Sequence, residues 1–400
     1  MHHFAQRRPW ASRWMVALVF FVLVLPLGHA DEQGVQWPLD RDVLCEEIES
    51  LEFNGTNANA TVQWQVSLGP RVPESNASLA FRSHVNTTLT EAGWVVEESV
   101  HARHGMNLTN IEARWASPNS GGRQVVLAAH YDSRNIADKD LNETNQTLPV
   151  PGANDGGSGV AVVLELATIV PQLDLNYDII LFLNDAEDQN QNFTAGAEAW
   201  AENLSEEDIE NTESFVLMDM VGDADLQLRN INPGNDTLKE RMVHLAEGLG
   251  MVLDVEDCMG NPGEDIVQYD IEVGVLDDHY HAHVRNIPSI DLMDPQYGEP
   301  TPYSFGSLWH TMEDTPDKVS AASLEHVGRW VELGLRTDAF VNIAPSDESS
   351  VLSEEDAPIN PVTVEERTGG DGEPRLALLA LGMLVGVVGA LLVLEYGRRG

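Results

Sequence analysis

Apolar positions along the chain follow two rhythms, and each rhythm predicts an element. Leu44, Ile48 and Leu51 recur at helical spacing, so the sequence predicts a helix over Asp40–Phe53, followed by a sequon-rich loop and a second helix over Ala77–Ala92. Trp94–Val100 and Asn110–Trp115 read as the strands of an edge hairpin. Predominantly apolar strands come next, at Gln124–Ala129, Tyr177–Leu183, Phe215–Met220 and Ile287–Met293. Helical stretches separate them: Gly159–Val170 stopped by Pro171, Ala195–Asn203, and Thr237–Leu249 ended by Gly250. A long closing helix is predicted over Pro316–Val341. Strands alternating with helices predict an α/β fold, a three-layer sandwich whose central, mostly parallel mixed sheet is covered by helices on both faces.

The two ends carry a different pattern. Arg7, Arg8 and Arg13 precede the apolar run Trp14–Leu27, and Gly28, His29 and Ala30 supply small residues at cleavage positions. This is the layout of a secretory signal peptide over residues 1–30, with an uncleaved anchor as the alternative. Leu376–Leu394 is apolar and uncharged, and Arg398 and Arg399 follow it. Residues 375–400 therefore read as a single membrane anchor with its C-terminus in the cytoplasm. Residues 344–374, rich in Asp, Glu, Ser, Pro and Gly, read as a disordered acidic stalk, which leaves residues 31–343 as the folded domain outside the cell.

External placement agrees with sequons at Asn54, Asn59, Asn76, Asn86, Asn107, Asn142, Asn145, Asn192, Asn203 and Asn235. It would also permit the only cysteines, Cys45 and Cys258, to pair, although their separation in space is not readable from sequence. The formal net charge of −43 argues against nucleic acid as a partner. Two explanations of that charge stay open: a merely solubilising surface, or adaptation to concentrated salt, where the Debye length falls to about 3 Å. Oligomeric state leaves no mark on the sequence.

The chemistry sits at strand ends. His130 closes Val125–Ala129, Glu187 and Asp188 follow the strand at Ile179–Leu183, and Asp219 lies at the end of Phe215–Met218. Asp155 sits in a glycine-rich loop that opens a helix, and His310 lies in the loop after Ile287–Met293. Ligands of open parallel sheets bind outside the carboxyl ends of the strands, so all these residues are expected to converge on one edge. Two imidazoles and three carboxylates can hold two divalent metals, leaving one carboxylate to move protons. Taken singly, each residue has an ordinary explanation: a surface histidine, a helix cap, loop acids in an acidic chain.

The segments His130-Tyr131-Asp132-Ser133, Gly152-Ala153-Asn154-Asp155-Gly156-Gly157-Ser158-Gly159, Asp185-Ala186-Glu187-Asp188, Asp219-Met220-Val221-Gly222 and Trp309-His310-Thr311 resemble the zinc aminopeptidase family, which includes co-catalytic two-zinc exopeptidases and the glutaminyl cyclases. The resemblance covers roughly Ala77–Val341. It implies an exopeptidase with two zinc ions per chain, acting on peptides with a free N-terminus. By position, His130 and Asp219 would bind one zinc, Asp188 and His310 the other, and Asp155 would bridge them. Glu187 would be the general base, and Asp132 would support His130 from behind. Asp278 would align with a hydrogen-bonding acid of the cyclases.

Two features depart from the family pattern. Asp188 stands where the family usually has Glu and is one methylene shorter. His279, His281 and His283 alternate beside Asp277 and Asp278. On a helix the middle histidine faces away from the other two, so pairing with nearby acids is expected over a metal clip. A single-zinc glutaminyl cyclase is the competing enzyme reading, and a non-catalytic receptor-like ectodomain is the alternative outside enzymes.

Overall fold

The structure is a computed structural model and describes residues 37–345, apart from 190, 191 and 303. The predicted signal peptide and anchor, and the stalk beyond residue 345, lie outside the described residues. Among the described residues no helix is long and apolar enough to cross a membrane. In chain order the elements are α1 (Arg41–Glu49), α2 (Gly55–Ser67), α3 (Asn76–Glu91), β1 (Val95–Arg103), β2 (Met106–Trp115), β3 (Gln124–His130), α4 (Gly157–Ile169) and β4 (Asp178–Asn184). There follow β5 (Asp188–Gln189), β6 (Asn192–Phe193), α5 (Ala195–Asn203), α6 (Glu206–Asn211), β7 (Thr212–Asp219), β8 (Leu228–Asn232) and α7 (Asp236–Gly248). The last are β9 (Val267–Gly274), α8 (His279–His283), β10 (Ser289–Met293) and α9 (Ala321–Arg336).

The central sheet has the order β1-β2-β4-β3-β7-β10. β1, β2 and β4 pair antiparallel, whereas β4, β3, β7 and β10 run parallel, so the sheet is mixed as expected. Alternate residues of the parallel strands feed two cores. Val125, Leu127, Ala129, Leu181 and Val216 join the cluster formed with α2, α4 and α9, while Val126, Ala128, Phe182 and Leu217 face Trp200 of α5 and Ala282 of α8. Burial on both faces explains why these strands read as unbroken apolar runs. β4 and β7 flank β3 on opposite sides although both follow it in the chain. The strand order therefore reverses around β3, which opens a crevice at its carboxyl end.

Several local expectations change. The sequon-rich stretch after α1 is a helix, α2, capped by Asn54, whose side chain accepts from the N–H groups of Thr56 and Asn57. Its buried stripe, Gly55, Ala58, Val62 and Gln65, is too small and mixed to register as amphipathic. The stripe is small because α2 lies close to α9: a Cβ on Gly55 would stand 2.0 Å from the Ala321 carbonyl oxygen. The closing helix is shorter than expected. Pro316–Lys318 forms one 3-10 turn, and α9 begins only where Ser320 caps the Ser323 N–H. The sequence pattern gave no sign of the small parallel pair β8 and β9 or of the short helices α6 and α8.

Cys45 of α1 and Cys258, in the segment after α7, form a disulfide with Cα atoms 5.4 Å apart, across 213 positions of sequence. Of the sequon asparagines, Asn235 is buried, and its amide donates to the Ala344 carbonyl, so it cannot carry a glycan in the folded chain. Replacing Cys45 and Cys258 together by Ala should cost roughly 2–5 kcal/mol of stability, read as a lower denaturant midpoint. An unchanged midpoint would show that the bridge contributes nothing.

Candidate metal centre

The carboxyl ends of β3, β4 and β7 bring the predicted residues together. His130 is the last residue of β3, Asp219 the last of β7, and Glu187 and Asp188 follow the end of β4. Asp155 reaches in from the loop before α4, and His310 from the segment between β10 and α9. All six are buried. His130 Nε2 stands 3.2 Å from Asp155 Oδ1 and 3.2 Å from Asp219 Oδ1. His310 Nε2 stands 3.7 Å from Asp155 Oδ2 and 3.1 Å from Asp188 Oδ2. The donors thus form two groups, His130–Asp155–Asp219 and Asp155–Asp188–His310, joined by the two oxygens of Asp155.

Each imidazole is backed by a carboxylate. His130 Nδ1 lies 3.3 Å from Asp132 Oδ1. Asp132 also accepts from the backbone N–H groups of Glu187 and Asp188, at 3.0 and 3.1 Å, and from the Gln189 amide at 2.7 Å. One aspartate therefore fixes both a ring and the turn that carries Glu187 and Asp188. His310 Nδ1 lies 3.4 Å from Asp138 Oδ1, which accepts from Arg134 Nε at 2.7 Å. A second guanidinium nitrogen, Arg134 Nη1, donates to Asp188 Oδ1.

The Asp155 loop has its own supports. Asp314 accepts from the N–H groups of Asn154 and Asp155, and from the Tyr297 hydroxyl. Buried Arg71 donates to the carbonyls of Tyr131, Pro151 and Gly152, tying the His130 and Asp155 loops to each other. Asp278 accepts from the Asn184 amide at 2.6 Å, at the end of β4, and its charge acts on Glu187. Of the alternating histidines, His279 has its partners away from the two donor groups. Its Nε2 lies 2.8 Å from the Pro233 carbonyl and its Nδ1 3.5 Å from Asp291, while His281 bonds to Thr194. Arg71, Arg134, Asp138 and Asp314 are the members that sequence reasoning missed. Each lies in a loop, and only its contacts in space set it apart.

The backbone at this edge is unusual. Ala186 (φ 60°), Met220 (φ 46°) and His310 (φ 57°) occupy the left-handed region, which costs about 1–2 kcal/mol for a residue with a side chain. They adjoin Glu187, adjoin Asp219 and constitute the second histidine, respectively. Gly156, at φ 75°, follows Asp155, and a Cβ there would stand 2.8 Å from His130 Cε1. Such backbone persists where packing over-determines it, and it clusters at functional sites.

The electrostatics are those of crowded acids. Burial alone would push the His130 imidazole down, yet Asp219, Asp132 and Asp155 outweigh it and hold the ring well above its ordinary value. His310 is raised as well: burial opposes, but Asp188 and Asp138 prevail. Burial, with Asp188 and Asp219, raises Asp155. Asp188 goes the other way, to about 2, because His310 and Arg134 overcome its burial. Burial lifts the Glu187 carboxyl well above the usual range, His130 opposes, and Asp277, Asp188 and Asp278 add to the rise. Burial likewise pushes Asp278 up to about 7.

Zinc fits this donor set. Both rings aim Nε2 inward while a carboxylate backs Nδ1, an arrangement typical of histidine metal ligands. Asp188 Oδ2 is buried and finds no donor with hydrogen-bond geometry, although His310 Nε2 is near. A buried anionic oxygen without a donor is costly unless a cation completes it.

A signature of peptidase family M28 spans residues 110–333, more than half of the chain. Among curated proteins, the chain is 25% identical over 212 residues to "Aminopeptidase YwaD" of Bacillus subtilis, covering 52% of this chain and 39% of that protein. It is 29% identical over 239 residues to a "Probable zinc metalloprotease" of Pyrenophora teres, covering 58% and 49%. The chain thus spans less than half the length of these two relatives. Among solved structures, a Zn-dependent exopeptidase from Parabacteroides distasonis superposes with a TM-score of 0.60 at 27% identity, over 72% of this chain and 99% of that one. Glutaminyl cyclase from Porphyromonas gingivalis superposes with a TM-score of 0.59 at 28% identity, over 70% and 96%. With its α/β sheet and its site residues at the strand ends, the chain belongs to peptidase family M28.

Proposed function

We propose that this protein is a zinc-dependent aminopeptidase that removes the N-terminal residue from peptides with two adjacent zinc ions. The observation that carries this reading is the division of Asp155, one oxygen toward His130 and Asp219, the other toward His310 and Asp188. In this reading His130 and Asp219 would hold one zinc, Asp188 and His310 the other, with Asp155 offering an oxygen to each. Bound there, the metals would supply water activation and stabilisation of negative charge on the substrate carbonyl oxygen. Glu187, not needed as a ligand, takes the proton from the attacking water and passes it to the leaving amine. Its burial and acidic neighbours raise the proton affinity of its carboxyl, which suits it to that exchange. Asp132 keeps His130 and the Glu187–Asp188 turn in register. Asp278 acts one layer further out, by holding Asn184.

The proposal includes the setting. A signal peptide over residues 1–30 and an anchor over residues 375–400 would place the domain outside the cytoplasm, facing extracellular peptides. The Cys45–Cys258 disulfide supports that placement, since such bonds persist in oxidising compartments. The names of the curated relatives, an aminopeptidase and a zinc metalloprotease, support the reaction class.

A second reading, cyclisation of N-terminal glutamine at a single zinc held by Asp155, Asp188 and His310, is favoured by the similarity to Porphyromonas gingivalis glutaminyl cyclase. Substrate panels separate the two: amino-acid arylamides are turned over in the first case, N-terminal glutaminyl peptides in the second.

Glu187→Gln should keep the zinc content and lower kcat on amino-acid arylamides by roughly 10²–10⁴. Near-wild-type turnover in this variant would remove Glu187 as the base. His310→Ala should lose one zinc per chain by elemental analysis; an unchanged zinc content would remove His310 from the ligand set.

A further inference from the structure

The two metal groups are supported differently. In the first group, Asp132 backs His130, and Asp219 Oδ1 accepts from the Met220 N–H at 2.8 Å. The other group is closed by a side-chain ring. Arg134 donates through Nη1 to Asp188 Oδ1 and through Nε to Asp138 Oδ1 at 2.7 Å. Asp138 Oδ1 lies 3.4 Å from His310 Nδ1, and His310 Nε2 lies 3.1 Å from Asp188 Oδ2. Arg134 is 4% exposed, and its guanidinium stands over the Phe193 ring at 5.4 Å, so the cation is held in place from outside the ring as well.

We propose that Arg134 is the positioning residue of the Asp188–His310 metal position and that the His130–Asp219 position does not depend on it. The proposal rests on the reading of Asp188 and His310 as ligands. Asp188 is one methylene shorter than the Glu usual in the family, so its carboxylate reaches less far from the backbone. Its N–H is already fixed by Asp132. By taking Oδ1, Arg134 orients the short side chain so that Oδ2 is left to face His310. Through Asp138 the same guanidinium sets the ring plane of His310. Arginine suits this role because its planar fork presents several donors in fixed directions, so one side chain can hold two separate carboxylates. Lysine, a point charge on a flexible stem, cannot hold both in the same geometry.

The test measures zinc affinity in the full-length chain by stepwise chelator competition, independently of turnover. Arg134→Met should weaken one zinc step by roughly 10–100-fold and leave the other unchanged, the usual effect of removing a residue that orients a ligand. Arg134→Lys should weaken the same step by a smaller factor, and it carries the test if the Met variant does not fold. Asp188→Asn identifies which step belongs to this position. Two unchanged steps in the Arg134 variants would overturn the proposal, as would two steps that weaken equally, which is what a general folding role produces. If Asp188→Asn itself keeps both zincs at wild-type affinity, the ligand reading fails and the role of Arg134 falls with it. If Asp188→Asn loses a zinc while both Arg134 variants keep theirs, only the positioning role fails.

Discussion

Negative charge buried at one end of the sheet is the constraint on which the rest of the structure depends. Asp132, Asp155, Glu187, Asp188, Asp219, Asp277, Asp278, Asp291 and Asp314 are all buried, whereas the buried Arg and Lys among the described residues are Arg71, Arg134 and Lys239. Each desolvated carboxylate costs several kcal/mol unless positive charge or donors compensate it. Burial lifts the carboxyls of Glu187, Asp277 and Asp291 well above the ordinary carboxylate range, the direction in which desolvation acts. Part of the compensation comes from donors, such as the N–H groups that converge on Asp132 and Asp314. In the proposed function divalent cations would supply the remainder where Asp155, Asp188 and Asp219 gather, and their binding would then add to the stability of the fold.

The topology explains why the charge gathers there. Reversal of strand order around β3 opens a crevice, and β3, β4 and β7 each end in or beside a site residue. The loops that close the crevice carry left-handed backbone at Ala186, Met220 and His310. The apolar layers on both faces of the sheet hold that strain, because the strands beneath the loops cannot shift without opening a core. Arg71 and Asp314 then brace the Asp155 loop from two sides.

Much of this was legible in the sequence, for identifiable reasons. β3, β4 and β7 announced themselves because burial on both faces leaves Val125–Ala129, Ile179–Leu183 and Phe215–Met218 without a polar residue, and candidate site residues follow within five positions of each run. Ala195–Asn203 was read with its observed bounds. α2 was hidden because a helix packed closely against α9 buries Gly55 and Ala58 in place of large apolar residues. β8 and β9 were hidden because half their positions are only partly covered, which blurs the apolar signal. Among the candidate site residues, those at strand ends and in the motif loops, Asp155 and His310 included, were readable, and Arg71, Arg134, Asp138 and Asp314 were not. Their partners lie across loops, and in a chain with net charge −43 an isolated aspartate carries little information.

The central claim is that Asp155 stands between two metal positions. Anomalous scattering at the zinc edge from crystals of the zinc-loaded protein tests it most directly. The account predicts two peaks about 3.5–4 Å apart, each within bonding distance of one Asp155 oxygen. A single peak, or two peaks of which one lies away from Asp155, would contradict it.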